Sequence, residues 1–166
     1  ALLKHLLIEK KLEMANQLSE LALSQHPFSM ELKLIQADLL TLSGFNTKAF
    51  ELLQNLENLY PNDAEILQKK GLVLTTMGKF EKAIEVMIGL SEANPNEEKY
   101  RSMIAEMYVQ QKNTDEALVW YQKVLSINPN NPYIQITLAD FYSKAGDKET
   151  AWQYLKEGYL NPNLDI

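Results

Sequence analysis

The residue types that ordinarily carry catalysis are present in this chain, but not at spacings that let them act together. The two histidines, His5 and His26, belong to no HExxH pattern and neither has a second histidine at helical spacing, so no metal-binding pair arises. The absence of cysteine removes thiolate ligands, thiol nucleophiles and disulfides together, and leaves the redox compartment open. No serine stands in a GxSxG elbow, and the glycines build neither GxGxxG nor a phosphate-binding loop. Glu97 with Glu98, and Glu31 with Asp38, are acidic neighbours of the kind that general acid–base chemistry uses, yet near helix starts such acids oppose the helix dipole instead. The chemistry that is left is recognition, with no enzyme activity, metal or cofactor expected. Tyr133, one residue after Pro132 at the start of a helical pattern, is an aromatic placed to anchor a partner.

The elements that position such residues repeat. Pro27, Pro61, Pro95 and Pro129 are spaced by 34 residues, and Pro162 follows after 33. Ala15, Ala49, Ala83, Ala117 and Ala151 keep the same interval, as do the small residues Ala37, Gly71, Ala105 and Ala139. A period of this length is the signature of a helical repeat array. Within each unit apolar residues recur at helical spacing, for example Leu32, Ile35, Leu39 and Leu42, which predicts a first helix. Gly44, Gly78 and Gly146 stand where that helix must stop, with Lys112 in the equivalent place of the third unit. A second apolar pattern follows, as in Ala83, Ile84, Met87 and Leu90, and proline closes it. Asn62 and Asp63, Asn96, and Asn130 and Asn131 then offer oxygens to cap the next helix. The alanine and Gly/Ala columns let antiparallel backbones approach at their crossing.

Composition agrees with a folded domain. Of 166 residues, 46% are hydrophobic and 23% charged, enough for one continuous core. A net charge of -6 supplies no basic stripe for a nucleic acid. The stretch from Ala1 to Ile8 is broken by Lys4 and His5 and is far shorter than the ~20 apolar residues a membrane span needs; no cleavage pattern follows it. The chain starts without Met, part-way through a helical pattern, and is expected to be a segment of a longer, bacterial protein. Cytoplasmic and exported locations are both compatible with it.

The pattern closely resembles the tetratricopeptide repeat (TPR) family. The third unit carries the resemblance best, with Ala105, Tyr108, Asp115, Glu116, Ala117, Tyr121 and the run Asn128-Pro129-Asn130-Asn131; the second adds Gly71, Gly78, Phe80, Ala83 and Pro95. Departures are Leu56, Leu90 and Val124 where the family favours a small residue, with Ala22 and Gly158 conforming, together with Lys112 and the early Pro162. The resemblance implies an all-α, right-handed superhelical solenoid of antiparallel helix pairs. A single domain over 1–166 is expected, with a partial repeat at 1–29 and full repeats at 30–63, 64–97, 98–131 and 132–166. It also implies protein–protein interaction through a concave surface lined by the first helix of each pair.

Projecting the first helices onto that face gives Glu31, Leu34, Asp38 and Thr41; Glu65, Gln68, Leu72 and Thr75; Lys99, Ser102, Glu106 and Val109; Tyr133, Ile136, Asp140 and Lys144. The candidate partner-binding set is Glu31, Leu34, Asp38, Gln68, Leu72, Lys99, Ser102, Glu106, Tyr133, Ile136, Asp140 and Lys144. Acids outnumber lysines on the face, which suits a polar or basic peptide segment with one apolar anchor. Family members that grip a chaperone's carboxyl terminus use a clamp of Lys, Asn and Arg; Leu34, Asp38, Leu72 and Ser102 occupy those places here, so that ligand is disfavoured. The alternative to a binding scaffold is a spacer that self-associates through its ends. Most of the aromatics, among them Tyr108, Trp120, Tyr121, Tyr142, Trp152 and Tyr154, are expected in the core.

Overall fold

The computed structural model describes residues 12–164. His5 and the Ala1–Ile8 stretch lie outside the described residues. Helices α1 (Leu12–Gln25), α2 (Met30–Leu42), α3 (Asn46–Leu59), α4 (Ala64–Thr76), α5 (Phe80–Ala93), α6 (Glu98–Gln110), α7 (Thr114–Leu125), α8 (Pro132–Lys144) and α9 (Lys148–Tyr159) account for all regular structure among the described residues. The fold is an all-α helical-repeat solenoid. The chain forms two compact units, one ending at Val86 and one starting at Met87, so the junction falls inside α5.

Local chemistry sets the helix ends. Ser29 Oγ accepts from the Leu32 amide at 3.3 Å, and Asp63 Oδ1 accepts from both Glu65 and Ile66 at 3.0 Å. Asn131 Oδ1 accepts from Ile134 at 3.2 Å, with Pro132 at the first helical position, where its missing N–H has no cost. Of the expected caps, Asp63 and Asn131 act as such, but Asn96 does not. Glu97 takes the cap position of α6 and makes no side-chain cap bond. Asn62 is instead the turn residue itself, at φ 66.

The first helices stop as the glycine column predicts. Gly44 sits at φ 80, its amide donating to Thr41 O at 3.0 Å while Phe45 N donates to Leu40 O at 2.8 Å. This paired closure satisfies carbonyls the helix end leaves open. Lys112 makes the same closure at φ 60: its amide donates to Val109 O and that of Asn113 to Tyr108 O, both at 2.9 Å.

In the first unit the core joins Leu34, Ala37, Ala49, Leu53, Leu56, Ile66 and Val73, contributed by α2, α3 and α4. A second cluster, Ala15, Ile35 and Leu39, fastens α1 to α2. The second unit buries Ala105, Ala117, Tyr121, Val124, Ile134 and Leu138. Each repeated alanine at a crossing is buried. Leu56, Leu90 and Val124 fill with bulk the column where a small residue was expected, and all three are buried. At the same column in α9, Gly158 permits a much closer approach: a Cβ there would lie 2.7 Å from Ile136 Cγ1 and 3.1 Å from Pro132 O.

Candidate functional site

Each unit carries one cleft bounded by the face predicted for recognition. In the first unit a cleft of about 380 Å³ lies between α2 and α4 over an apolar floor. Ala37, Asp38 and Thr41 form one wall, Lys69, Leu72 and Val73 the other, and Leu53 of α3 closes the base. Lys69 Nζ reaches across to both Asp38 oxygens, at 2.8 and 2.7 Å, fixing the spacing of the walls. Thr41 returns its hydroxyl to Ala37 O at 2.8 Å, so its methyl group is the part left to face a ligand.

In the second unit a cleft of about 360 Å³ lies between α8 and α9, lined by Ile136, Ala139, Asp140 and Ser143 from α8 and by Lys148, Ala151, Trp152 and Leu155 from α9. Asp140 pairs with Lys144 at 2.6 Å, an exposed i,i+4 pair that fixes little. The clefts share part of their lining, while the facing wall comes from α4 in the first and from α9 in the second. Ala139, Asp140, Ser143 and Leu155 stand three repeat periods beyond Ala37, Asp38, Thr41 and Leu53.

The predicted residues divide accordingly. Asp38 and Leu72 line the first cleft, and Ile136 and Asp140 the second. Leu34 is corrected: it is only 3% exposed and belongs to the core of the first unit, packed with Ala37, Leu53 and Ile66. Its column grazes the edge of the core, where Gln68, Ser102 and Ile136 remain half-exposed because they are polar or reach the rim. Glu31 and Gln68 in the first unit, and Lys99, Ser102, Glu106, Tyr133 and Lys144 in the second, line neither cleft. Lys99 stacks its ammonium 4.8 Å from the Tyr100 ring, and Ser102 donates to Glu98 O at 3.3 Å. Glu106 reaches solvent, yet partial burial raises its carboxyl above the ordinary value. The Tyr121 hydroxyl is raised as well, first by burial and then by the Glu106 charge. Tyr133 is exposed.

Sequence reasoning missed Lys69 and Trp152. Lys69 lies one position past the predicted face, and only its long stem carries its charge back to Asp38. Trp152 was expected in the core but is 66% exposed, whereas Tyr121 is buried and Tyr108, Trp120, Tyr142 and Tyr154 pack against the second unit's core. Among the described residues no acidic or histidine cluster could hold a metal ion, and no helix is long and apolar enough to cross a membrane.

The sequence pattern of the tetratricopeptide repeat matches residues 4–161. The chain belongs to the tetratricopeptide repeat family. It is 28% identical over 139 residues to the TPR repeat-containing protein YpiA of Bacillus subtilis (strain 168), an alignment that takes in 84% of this chain. The chain spans about a third of that relative's length. Its fold is similar to that of MamA 41-end from Desulfovibrio magneticus RS-1, at TM-score 0.75 and 16% identity over 98% of this chain and 94% of that one. A crystal structure of MamA gives TM-score 0.73 at 18% identity, covering 96% and 93%. TPR arrays are typically scaffolds rather than enzymes, and in that general sense the chain is a protein-interaction scaffold.

Proposed function

We propose that the protein is a non-enzymatic scaffold that holds a partner peptide on the faces presented by its first helices, with the repeats at 30–63, 64–97, 98–131 and 132–166 working as one binding domain. The observation that carries this reading is that four equivalent positions, 37, 38, 41 and 53 in one unit and 139, 140, 143 and 155 in the other, line an apolar slot with an aspartate on its rim in each unit. An apolar side chain seats in the slot while its polar flanks meet the aspartate, a division of labour usual for peptide grooves. Each rim aspartate is already paired with a lysine, Asp38 with Lys69 and Asp140 with Lys144, so the rims offer a balanced pair to the polar flanks of a peptide rather than a net negative charge.

Affinity capture comparing the unaltered protein with charge reversals Asp38→Lys, Glu106→Lys and Asp140→Lys tests this. Partner recovery falls if the reading is right; unchanged recovery with all three reversals removes these faces from the model of binding.

A second reading, self-association through an end of the array, is favoured by one observation. Trp152, Tyr159 and Leu160 are exposed apolar residues around α9, and with Leu155 and Lys156 they line a further apolar hollow of about 410 Å³.

A further inference from the structure

We infer that the pocket between the start of α8 and the end of α9 is a binding site for a guanidinium group. It lies within the second unit, encloses about 520 Å³, and is apart from both clefts. Gln135, only 4% exposed, forms its wall. The Gln135 Nε2 donates to Pro129 O at 3.0 Å and more weakly to Glu157 Oε2 at 3.5 Å, while its Oε1 is buried without any donor. A buried amide oxygen left without a donor is uncommon, and a small turn of the Gln135 side chain toward the pocket would let a ligand supply one.

The charged side chain of the pocket, Glu157, is also an acceptor. Glu157 has no ion-pair partner among the described residues, and its other oxygen accepts only from Gln153 at 3.4 Å. Asn161 Nδ2 is spent on Asn130 O at 2.8 Å, and Asn161 Oδ1 accepts the Asn163 amide at 2.9 Å. The Gln135 and Asn161 amide donors are engaged, whereas the carboxylate, amide oxygens and loop carbonyls keep free lone pairs; the exposed Asn130 and Asn163 amides can turn either their oxygen or their nitrogen toward a ligand. A ligand rich in N–H and lacking acceptors is matched to this set, and the Glu157 charge requires it to be cationic. Guanidinium fits better than ammonium because its planar fork presents five donors to acceptors arranged on several sides.

The construction is particular to this repeat. One, two and three periods earlier the Gln135 column holds Arg101, Leu67 and Lys33, and the Glu157 column holds Lys123, Gly89 and Asn55. Gly158 brings α9 against α8, so that a Cβ there would lie 3.4 Å from Gln135 Cβ. The early proline completes the pocket: Asn94 folds its amide back onto Leu90 O of its own helix, whereas Asn161, ahead of Pro162, reaches across to the Asn130 loop.

The probe is ethylguanidinium, titrated into the whole chain while the side-chain amide resonances of Gln135 and Asn161 are followed by NMR, with tetramethylammonium as the cation without N–H donors. Saturable shifts confined to Gln135, Asn161 and their neighbours are expected with ethylguanidinium alone. Glu157→Gln weakens binding about tenfold, as loss of a charge-assisted bond should, and Glu149→Gln on the same helix leaves it unchanged. Gln135→Met, which keeps the volume, weakens it too; should that variant fold poorly, the Glu157→Gln comparison decides. An acetylated Gly-Arg-Gly amide distinguishes sources: binding as tight as the free ion points to a protein-borne arginine, and weaker binding to a small guanidine. Equal shifts with tetramethylammonium, no localised shift, or an unaffected Glu157→Gln variant would overturn the assignment.

Discussion

Lys112 shows what a single residue contributes when a repeat imposes its geometry. It stands where three other repeats carry glycine, adopts φ 60, and makes the same two closing hydrogen bonds. A lysine in that region is sterically penalised by ~1–2 kcal/mol, partly offset by the greater chain entropy glycine loses on folding. Lys112→Gly is therefore expected to stabilise the protein by ~0.5–1 kcal/mol, read as a higher denaturant midpoint at constant slope; a lower midpoint would show that the lysine stem contributes packing that outweighs the strain. The three glycines were legible in the sequence because a left-handed helix stop is a local requirement. Lys112 was legible only through register. The failure at Asn96 has the same root, since capping depends on which of two adjacent residues reaches the cap position, and in α6 that residue is Glu97.

At the scale of elements, column 56, 90, 124 and 158 records how closely neighbouring helices pack. Leu56, Leu90 and Val124 are buried there, and Gly158 alone lets backbone meet side chain. Gly158→Ala forces a Cβ to 2.7 Å from Ile136 Cγ1 and 3.1 Å from the Pro132 carbonyl; Cγ1 moves only with the restricted χ1 of a helical isoleucine, and the carbonyl is fixed by the backbone. A loss of ~1–3 kcal/mol is expected from this overpacking. Gly89 is the control, because its added Cβ meets nothing within 4 Å and its place is the interior of α5. Gly89→Ala should gain ~0.5–1 kcal/mol from helix propensity alone. Thermal melts that moved the same way for both variants would contradict the close approach of α8 and α9. The alanine crossings were readable in advance, since a residue without bulk recurring every 34 positions marks the place where two backbones must come close. Which residues of the predicted face stay accessible was not. Leu34 and Leu72 are chemically identical, yet one closes the core and the other stands at a cleft wall, a difference set by two columns of one helix surface.

For the whole molecule, the repeat dictates what each second helix should do with its apolar face, and α9 is the exception. One and three periods before Trp152 and Leu155 stand Leu118 and Tyr121 of α7, and Phe50 and Leu53 of α3. Tyr121 packs with Ile134 and Leu138 of α8, and Leu53 with Ile66 and Val73 of α4; Lys70 and Lys79 lie 5.6 and 5.9 Å from the Phe50 ring. On α9, Trp152 is exposed in its column, and so is Tyr159, one turn beyond Leu155. A repeat buries this face only against a neighbour, and exposed aromatic surface of this kind drives association. Light scattering over a rising concentration series is expected to show mass increasing above that of one chain, and Trp152→Glu with Tyr159→Lys should abolish the increase without shifting the melt, because neither side chain belongs to the core. A constant monomer mass for the unaltered chain would eliminate association through the α9 face and leave the clefts as the surfaces through which the scaffold acts. The fold was legible throughout because periodicity is a property of the buried columns, whereas the exposed columns change residue type from repeat to repeat, as Asp38, Leu72, Glu106 and Asp140 do, and a partner is selected there.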